Sequence, residues 1–225
     1  MLNTIEKSVV FLFAFIKILL YTKYGGFMKK VIYLNSNNVN LFYRKFRLYK
    51  FLSHFNINFI INYCGKEYTL NDEYPQELGI ILNMTDILNT RNKKEKYNKI
   101  YDRACDYLDN EFRTKNICDF KNNMCRCNRE KCKDKQVSSC CESLKSRKIC
   151  ENFDNEKKEC KIKSLGCKLF VCPYLIKKGY YYRTGNVPYL KYLLSPRQKL
   201  IALTSHFKDK DENVNKMIKF YKLPW

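Results

Sequence analysis

Ten of the twelve cysteines in this 225-residue chain fall between Cys118 and Cys172, and nothing else restricts its folding as strongly. The segment is polar, basic and poor in helical or strand periodicity. A chain of that kind folds around cross-links, because it buries too little apolar surface by itself. The sulfurs are Cys118, Cys125, Cys127, Cys132, Cys140, Cys141, Cys150, Cys160, Cys167 and Cys172. No pair of C-x-x-C knuckles occurs among them, so an ordinary zinc ribbon is not expected. The two-residue gaps of a bacterial ferredoxin are missing too, although Cys172-Pro173 shares that motif's ending. The C-x-C at Cys125–Cys127 and the adjacent Cys140–Cys141 bring sulfurs close enough for one metal or two neighbouring ones, and thiolates suit zinc and iron–sulfur chemistry.

The only histidines, His54 and His206, lie outside the segment, so any ligation there is mostly by thiolate. Both read first as packing or surface histidines. Asp119, Glu130 and Glu142 alternate with Lys and Arg and read as solvated charges before oxygen ligands. A disulfide framework is the competing account. Twelve is an even count, and an apolar N-terminus is compatible with export. Against it, the chain is long enough for a core without staples, and a vicinal pair is an uncommon set of disulfide partners. Metal is the favoured reading.

The order CxC…CC…ENF…CKIKSLGCKLFVC resembles the bacterial zinc- or iron-chelating cysteine-cluster family. The matching positions are Cys140 and Cys141, Cys150 with Phe153, Cys160 with Ile162, and Cys167 with Lys168. The resemblance covers residues 118–172 only. It departs where Ser164-Leu165-Gly166 replaces the family's Arg-Pro, and the spacing is shorter. It implies a metal centre and leaves the metal open; the candidate ligands for an iron–sulfur cluster or zinc are the ten cysteines above.

The charge is uneven. The formal net charge is +21, with no acid between Glu6 and Glu67 or between Glu159 and Asp209. Such a field attracts phosphates, of nucleic acid or of an anionic membrane surface. The plain alternative is a solvated basic surface of the kind that an AT-rich genome writes, since Lys is preferred to the better bidentate reader, Arg. Gly179–Arg183, GYYYR, interleaves rings with a cation as single-stranded nucleic acid binders do. It reads equally as a partly buried strand.

Around the cysteine segment the chain is that of a folded protein, with only 7 Gly and 5 Pro. Ser8–Tyr21 is apolar but interrupted by Lys17 and short of a membrane span. It reads as an anchor, a buried helix, or an extension upstream of a start at Met28. The expected compartment is the cytoplasm, with membrane association through residues 8–21 as the alternative. Val31–Leu34 has strand composition, Leu41–His54 a helical stripe, and Phe55–Tyr63 alternates like a strand. A strand–helix–strand unit follows, without a glycine-rich phosphate loop. A loop is expected over 65–76, then helix from near Glu77, broken around Asn89–Lys94, with Thr85 or Asp86 as a cap. Tyr97, Tyr101, Ala104, Cys105, Leu108 and Phe112 share one face, which makes Cys105 a core residue; Cys64 reads similarly. Val187–Leu194 and Arg197–Phe207 read as helices parted at Ser195-Pro196, and Asp211 as the cap of a last helix.

The fold class expected is α+β, mostly helical, with an irregular metal-stapled module. The regions are 1–27 (apolar extension or anchor), 28–116 (strand and helix), 117–173 (cysteine cluster) and 174–225 (basic aromatic helices). The function expected is metal binding through the cysteine cluster. The alternatives are a zinc-stabilised nucleic-acid-binding module and a disulfide-rich exported protein. G-x-S-x-G, H-E-x-x-H and a phosphate loop are all missing, so no reaction is read from the sequence.

Overall fold

A computed structural model describes residues 28–55, 57–119, 121, 126, 129, 153–154, 156–157, 159–160 and 163–220. The protein is α+β and mostly helical, with one small three-stranded sheet near the N-terminus. It divides into two compact units, one ending at Arg91 and one beginning at Asn92.

The first unit opens with strand β1 (Met28–Leu34), helix α1 (Val39–Leu52) and strand β2 (Ile57–Tyr63). β1 and β2 pair in parallel, Ile32 opposite Ile61 and Leu34 opposite Tyr63. That is the strand–helix–strand unit expected from the alternation. The alternation has a direct physical basis: side chains of a strand point to opposite faces. Ile57, Phe59, Ile61 and Tyr63 are therefore buried on one face, together with Ile32 and Leu34. α1 covers that face with Phe42, Phe46, Tyr49 and Leu52, and the Tyr49 and Phe59 rings meet at 5.7 Å.

The expected 65–76 loop instead begins with a strand, β3 (Lys66–Tyr68), antiparallel to β2. A two-residue turn, Cys64-Gly65, joins them, with φ of +51° and +88°. Two successive positive φ values suit the twist of a tight hairpin. Cys64 is consequently exposed on the turn and is not the core residue its position at a strand end implied. A non-glycine residue there is strained unless its side chain tolerates the left-handed region, as Asn does. We expect Cys64→Asn to raise stability by about 0.5–1 kcal/mol, read as a higher urea midpoint at unchanged m-value.

β3 is too short to satisfy β2 along its length. Helix α2 (Gly79–Asn89) supplies the missing partner: Asn89 Oδ1 accepts from Phe59 N–H at 2.8 Å, and its Nδ2 donates to Phe59 O at 2.9 Å. Arg91 ties the end of the unit to Ser53 O (2.8 Å), Ile57 O (3.0 Å) and Asn58 Oδ1 (2.9 Å). Thr85 is no cap. It lies inside α2, and its hydroxyl donates to Ile81 O at 2.8 Å.

The second unit is built on helix α3 (Lys93–Thr114). The true cap of this helix is Asn92, whose side chain accepts from Glu95 N–H at 3.0 Å. Tyr97, Ile100, Tyr101, Ala104, Cys105 and Leu108 form its buried stripe, so the periodicity placed Cys105 correctly in the core. Beyond a hairpin of two-residue strands, β4 (Phe153–Asp154) with β5 (Glu159–Cys160), five short helices follow. They are α4 (Leu165–Leu169), α5 (Pro173–Lys177), α6 (Pro188–Leu193), α7 (Pro196–Thr204) and α8 (Lys210–Lys219). α4, α6 and α8 pack on α3, and α7 packs on α4 and α8. Ser195 closes a capping box with Gln198 on α7, which explains the break at Ser195-Pro196. The cap of α8 is Asp209, accepting from Glu212 N–H at 2.7 Å, because the helix begins ahead of Asp211.

Buried polar groups stitch this unit. Tyr101 Oη accepts from Leu165 N–H (2.9 Å) and from Asn213 Nδ2 (3.2 Å); burial pushes its phenol up to about 12. Gln198 Nε2 donates to Tyr97 Oη (2.5 Å) and to Met217 O (3.0 Å). Burial likewise raises the Cys105 thiol to about 12, keeping it protonated and unsuited to metal.

Candidate metal centre

The cysteine segment begins just after α3 and ends at the start of α5. Both departure points are shaped by helix-end chemistry. Asn116, at φ +43°, terminates α3 in the left-handed conformation. Ile117 N–H then reaches back to Phe112 O (3.4 Å) and Asn116 N–H to Arg113 O (3.2 Å). This six-to-one and five-to-two pattern is a Schellman motif, and such motifs bring an apolar residue past the helix end onto one in its last turns. Here Ile117, 1% exposed, meets Phe112. The next residue is Cys118.

At the other end Cys172 precedes Pro173, the first residue of α5. Proline suits that position because its absent N–H would be unsatisfied there anyway. The Cys172 carbonyl accepts from Ile176 N–H at 3.0 Å. Cys172 is 1% exposed in a cluster with Ile117, Val171, Tyr174 and Leu175, and Cys118 is half-buried against the same cluster. The first and last members of the cysteine series thus share one apolar base, although more than fifty residues separate them in sequence.

Tyr180 and Tyr182 complete that base. The Tyr182 ring lies 5.1 Å from that of Phe112, and its hydroxyl donates to Glu111 Oε2 at 3.3 Å. Lys115 pairs with the same carboxylate and sits 5.9 Å from the Tyr182 ring centroid. That hydrogen bond to Glu111 holds the Lys115 ammonium above its ordinary range. Of the three tyrosines in GYYYR only Tyr181 is exposed, with the Arg183 guanidinium 5.4 Å over its ring. The segment forms no strand, and two of its three rings are committed to packing.

Beyond Cys118 the backbone turns again through Asp119, at φ +41°. Arg126 N–H donates to Cys118 O at 2.7 Å. The Asp119 carboxylate receives Arg129 at 2.6 Å, Arg126 at 3.6 Å and Lys121 at 4.0 Å. Desolvation opposes ionisation of this carboxyl, but the three cations prevail and hold it below the usual carboxylate range. Asp119 acts as an organiser of basic side chains next to Cys118; at 16% exposure its carboxylate is paired rather than solvated, which corrects the solvated-charge reading.

Cys167 is placed differently. It lies on α4, and its Sγ accepts from Phe207 N–H at 3.3 Å; it is outside the apolar base that holds Cys118 and Cys172. The backbone of Cys160 belongs to β5, opposite Phe153. Cys125, Cys127, Cys132, Cys140, Cys141 and Cys150 lie outside the described residues, as do Glu130 and Glu142. Among the described residues no group of three or more His, Cys, Asp or Glu side chains converges, and no disulfide joins two cysteines. Both histidines are exposed and distant from this base in the chain. His206 packs edge-on against Phe170 at 5.9 Å, and His54 Nδ1 lies 2.9 Å from Lys50 O.

Phe112, Ile117, Tyr180 and Tyr182 were not singled out by sequence reasoning as parts of the site. The signal that could have found the first two is local: Asn116 follows the last helical turn and precedes an apolar residue, the pattern of a left-handed helix terminus. No helix among the described residues is long and apolar enough to cross a membrane. Comparison with protein-family models, curated proteins and solved structures finds no match.

Proposed function

We propose that this is a metal-binding protein whose Cys118–Cys172 segment holds an iron–sulfur cluster or zinc through thiolates. The observation that carries the reading is the shared apolar base of Cys118 and Cys172. A polar segment carrying eight further cysteines is closed at its root by two sulfurs, one fully buried and one half-buried. The resemblance of the CC…C…C-x-I…CK order to a metal-chelating family supports the same reading. Thiolates at this density suit zinc or iron, and a segment of this composition needs such a cross-link to fold.

The chain's own residues divide the work. The Schellman turn and Pro173 fix where the segment leaves and rejoins the helices. Ile117, Val171, Tyr174, Tyr180 and Tyr182 exclude water from one side of the sulfurs, and Asp119 gathers Lys121, Arg126 and Arg129 where the chain leaves α3. Cys118 and Cys172, with ligands from among Cys125, Cys127, Cys132, Cys140, Cys141, Cys150, Cys160 and Cys167, would hold the metal. Zinc would supply a structural clamp without redox chemistry, and an iron–sulfur cluster would supply electron transfer.

The test is anaerobic purification of the full chain, followed by visible absorption and elemental analysis for iron, acid-labile sulfide and zinc. Colour with iron and sulfide identifies a cluster; stoichiometric zinc without colour identifies a clamp. Cys118→Ser and Cys172→Ser are each expected to lower metal content well below one equivalent. Because metal binding is folding free energy for such sites, chelation is expected to make the segment protease-sensitive. A preparation holding neither metal, with its thiols mostly oxidised, overturns the reading in favour of disulfides.

A further inference from the structure

The outer face of α1 is an unusual combination for a surface helix. Phe42, Phe46, Tyr49 and Leu52 face the sheet. At 100° per residue the outer arc runs from Arg47 through Phe51 and Arg44 to Leu48, while Lys45 falls on the side of the buried stripe, between Tyr49 and Leu52. Leu48 is 45% and Phe51 44% exposed, and the Phe51 ring is backed by Phe55 at 5.1 Å. Arg44, Lys45 and Arg47 are exposed, and no carboxylate pairs with any of them among the described residues. No acid occurs anywhere from residue 28 to residue 66. Singly exposed apolar residues need no explanation. Two large ones on an arc shared with two uncompensated arginines form a pattern.

We propose that the α1 face is a docking surface for an anionic phospholipid membrane, a role independent of the metal reading. A helix lying in the plane of a bilayer interface places its apolar side chains among the acyl boundary and its cations at the phosphates. Leu48 and Phe51 supply the first, Arg44 and Arg47 the second. At 14 residues α1 is too short to span, so it lies on the surface. A nucleic acid fits the same cations less well. Leu48 offers neither a base-stacking face nor a phosphate donor, and the Phe51 ring already packs against Phe55.

The experiment is sedimentation of the full chain with vesicles of phosphatidylcholine alone or mixed with phosphatidylglycerol. Binding is expected only with the anionic lipid and is expected to fall with added salt. Each basic residue near an anionic surface contributes about fivefold, so Arg44→Gln with Arg47→Gln should weaken partitioning roughly thirtyfold. Leu48→Ser with Phe51→Ser should abolish the binding that survives high salt. The arginine variant is expected to melt as the parent does, and the Leu48/Phe51 variant to melt somewhat lower through loss of the Phe51–Phe55 contact; circular dichroism at the assay temperature separates lost docking from lost fold. Variants that bind anionic vesicles as the parent does overturn the proposal. So does a parent that ignores both vesicles and binds a single-stranded oligonucleotide through the same residues.

Discussion

Replacing Asp109 by alanine is expected to destabilise the second unit by about 3–5 kcal/mol, far more than the loss of an exposed ion pair. Three aspartates on α3, at 102, 106 and 109, each hold a lysine from a later segment: Lys210 at 2.6 Å, Lys163 at 3.3 Å, and Lys168. The pairs differ in burial. Lys163 and Asp106 are half exposed, and an exposed pair is worth little. The Lys168 side chain is 4% exposed, and Asp109 19%. Removing Asp109 leaves an ammonium buried in α4 without its carboxylate, close to the Cys105 thiol. A typical domain is stable by about 5–15 kcal/mol in total, so melting should fall on the order of 10 °C. The double variant Asp109→Leu with Lys168→Met is expected to recover most of that loss, because it removes both charges and keeps the volume. Equal loss in the single and double variants would show that packing, rather than an orphaned charge, sets the penalty.

Gly166→Ala is expected to cost about 2–3 kcal/mol, and its sign separates two physical accounts. Gly166 lies in α4, and glycine in a helix ordinarily loses to alanine by about 1 kcal/mol. Propensity alone therefore predicts stabilisation. The surroundings predict the reverse: a Cβ at Gly166 would lie 2.7 Å from His206 N and Ser205 C, and 3.1 Å from Ser205 N. All three are backbone atoms, and they cannot give way alone. Ser164 Oγ donates to Ser205 O at 2.7 Å, Phe207 N–H to Cys167 Sγ at 3.3 Å, and Leu165 N–H to Tyr101 Oη. A methyl group at this position must part α4 from the segment after α7 and strain all of these bonds. Thermal melting of the variant decides: a lower midpoint supports the close approach, and an unchanged or higher one refutes it.

Much of the fold was legible because period is a property of neighbours in the chain. The alternation of Ile57, Phe59, Ile61 and Tyr63 with Asn58 and Asn62 announced β2, and the 3.6-residue stripe from Tyr97 to Leu108 announced α3 and the place of Cys105. Caps were less legible. Asn92 and Asp209 do the work that Thr85, Asp86 and Asp211 were expected to do, since several short polar side chains near one helix end are equivalent until the backbone selects one. The strand β3 was missed because three residues carry no period, and Cys64 was misplaced because a strand end and a turn have the same sequence neighbours.

The cysteine series shows where such reading ends. Its density and its lack of periodicity set the expectation of a cross-link, because composition and spacing are one-dimensional quantities. The α+β class was determined by the sequence through the periodicity of the segments around it. The placing of Cys118 and Cys172 on one apolar cluster, the commitment of Tyr180 and Tyr182 to the same cluster, and the diversion of Cys167 to the Phe207 amide were decided by the tertiary structure. Each depends on residues far apart in sequence, held at one point by packing around α3, and no local interaction encodes that distance.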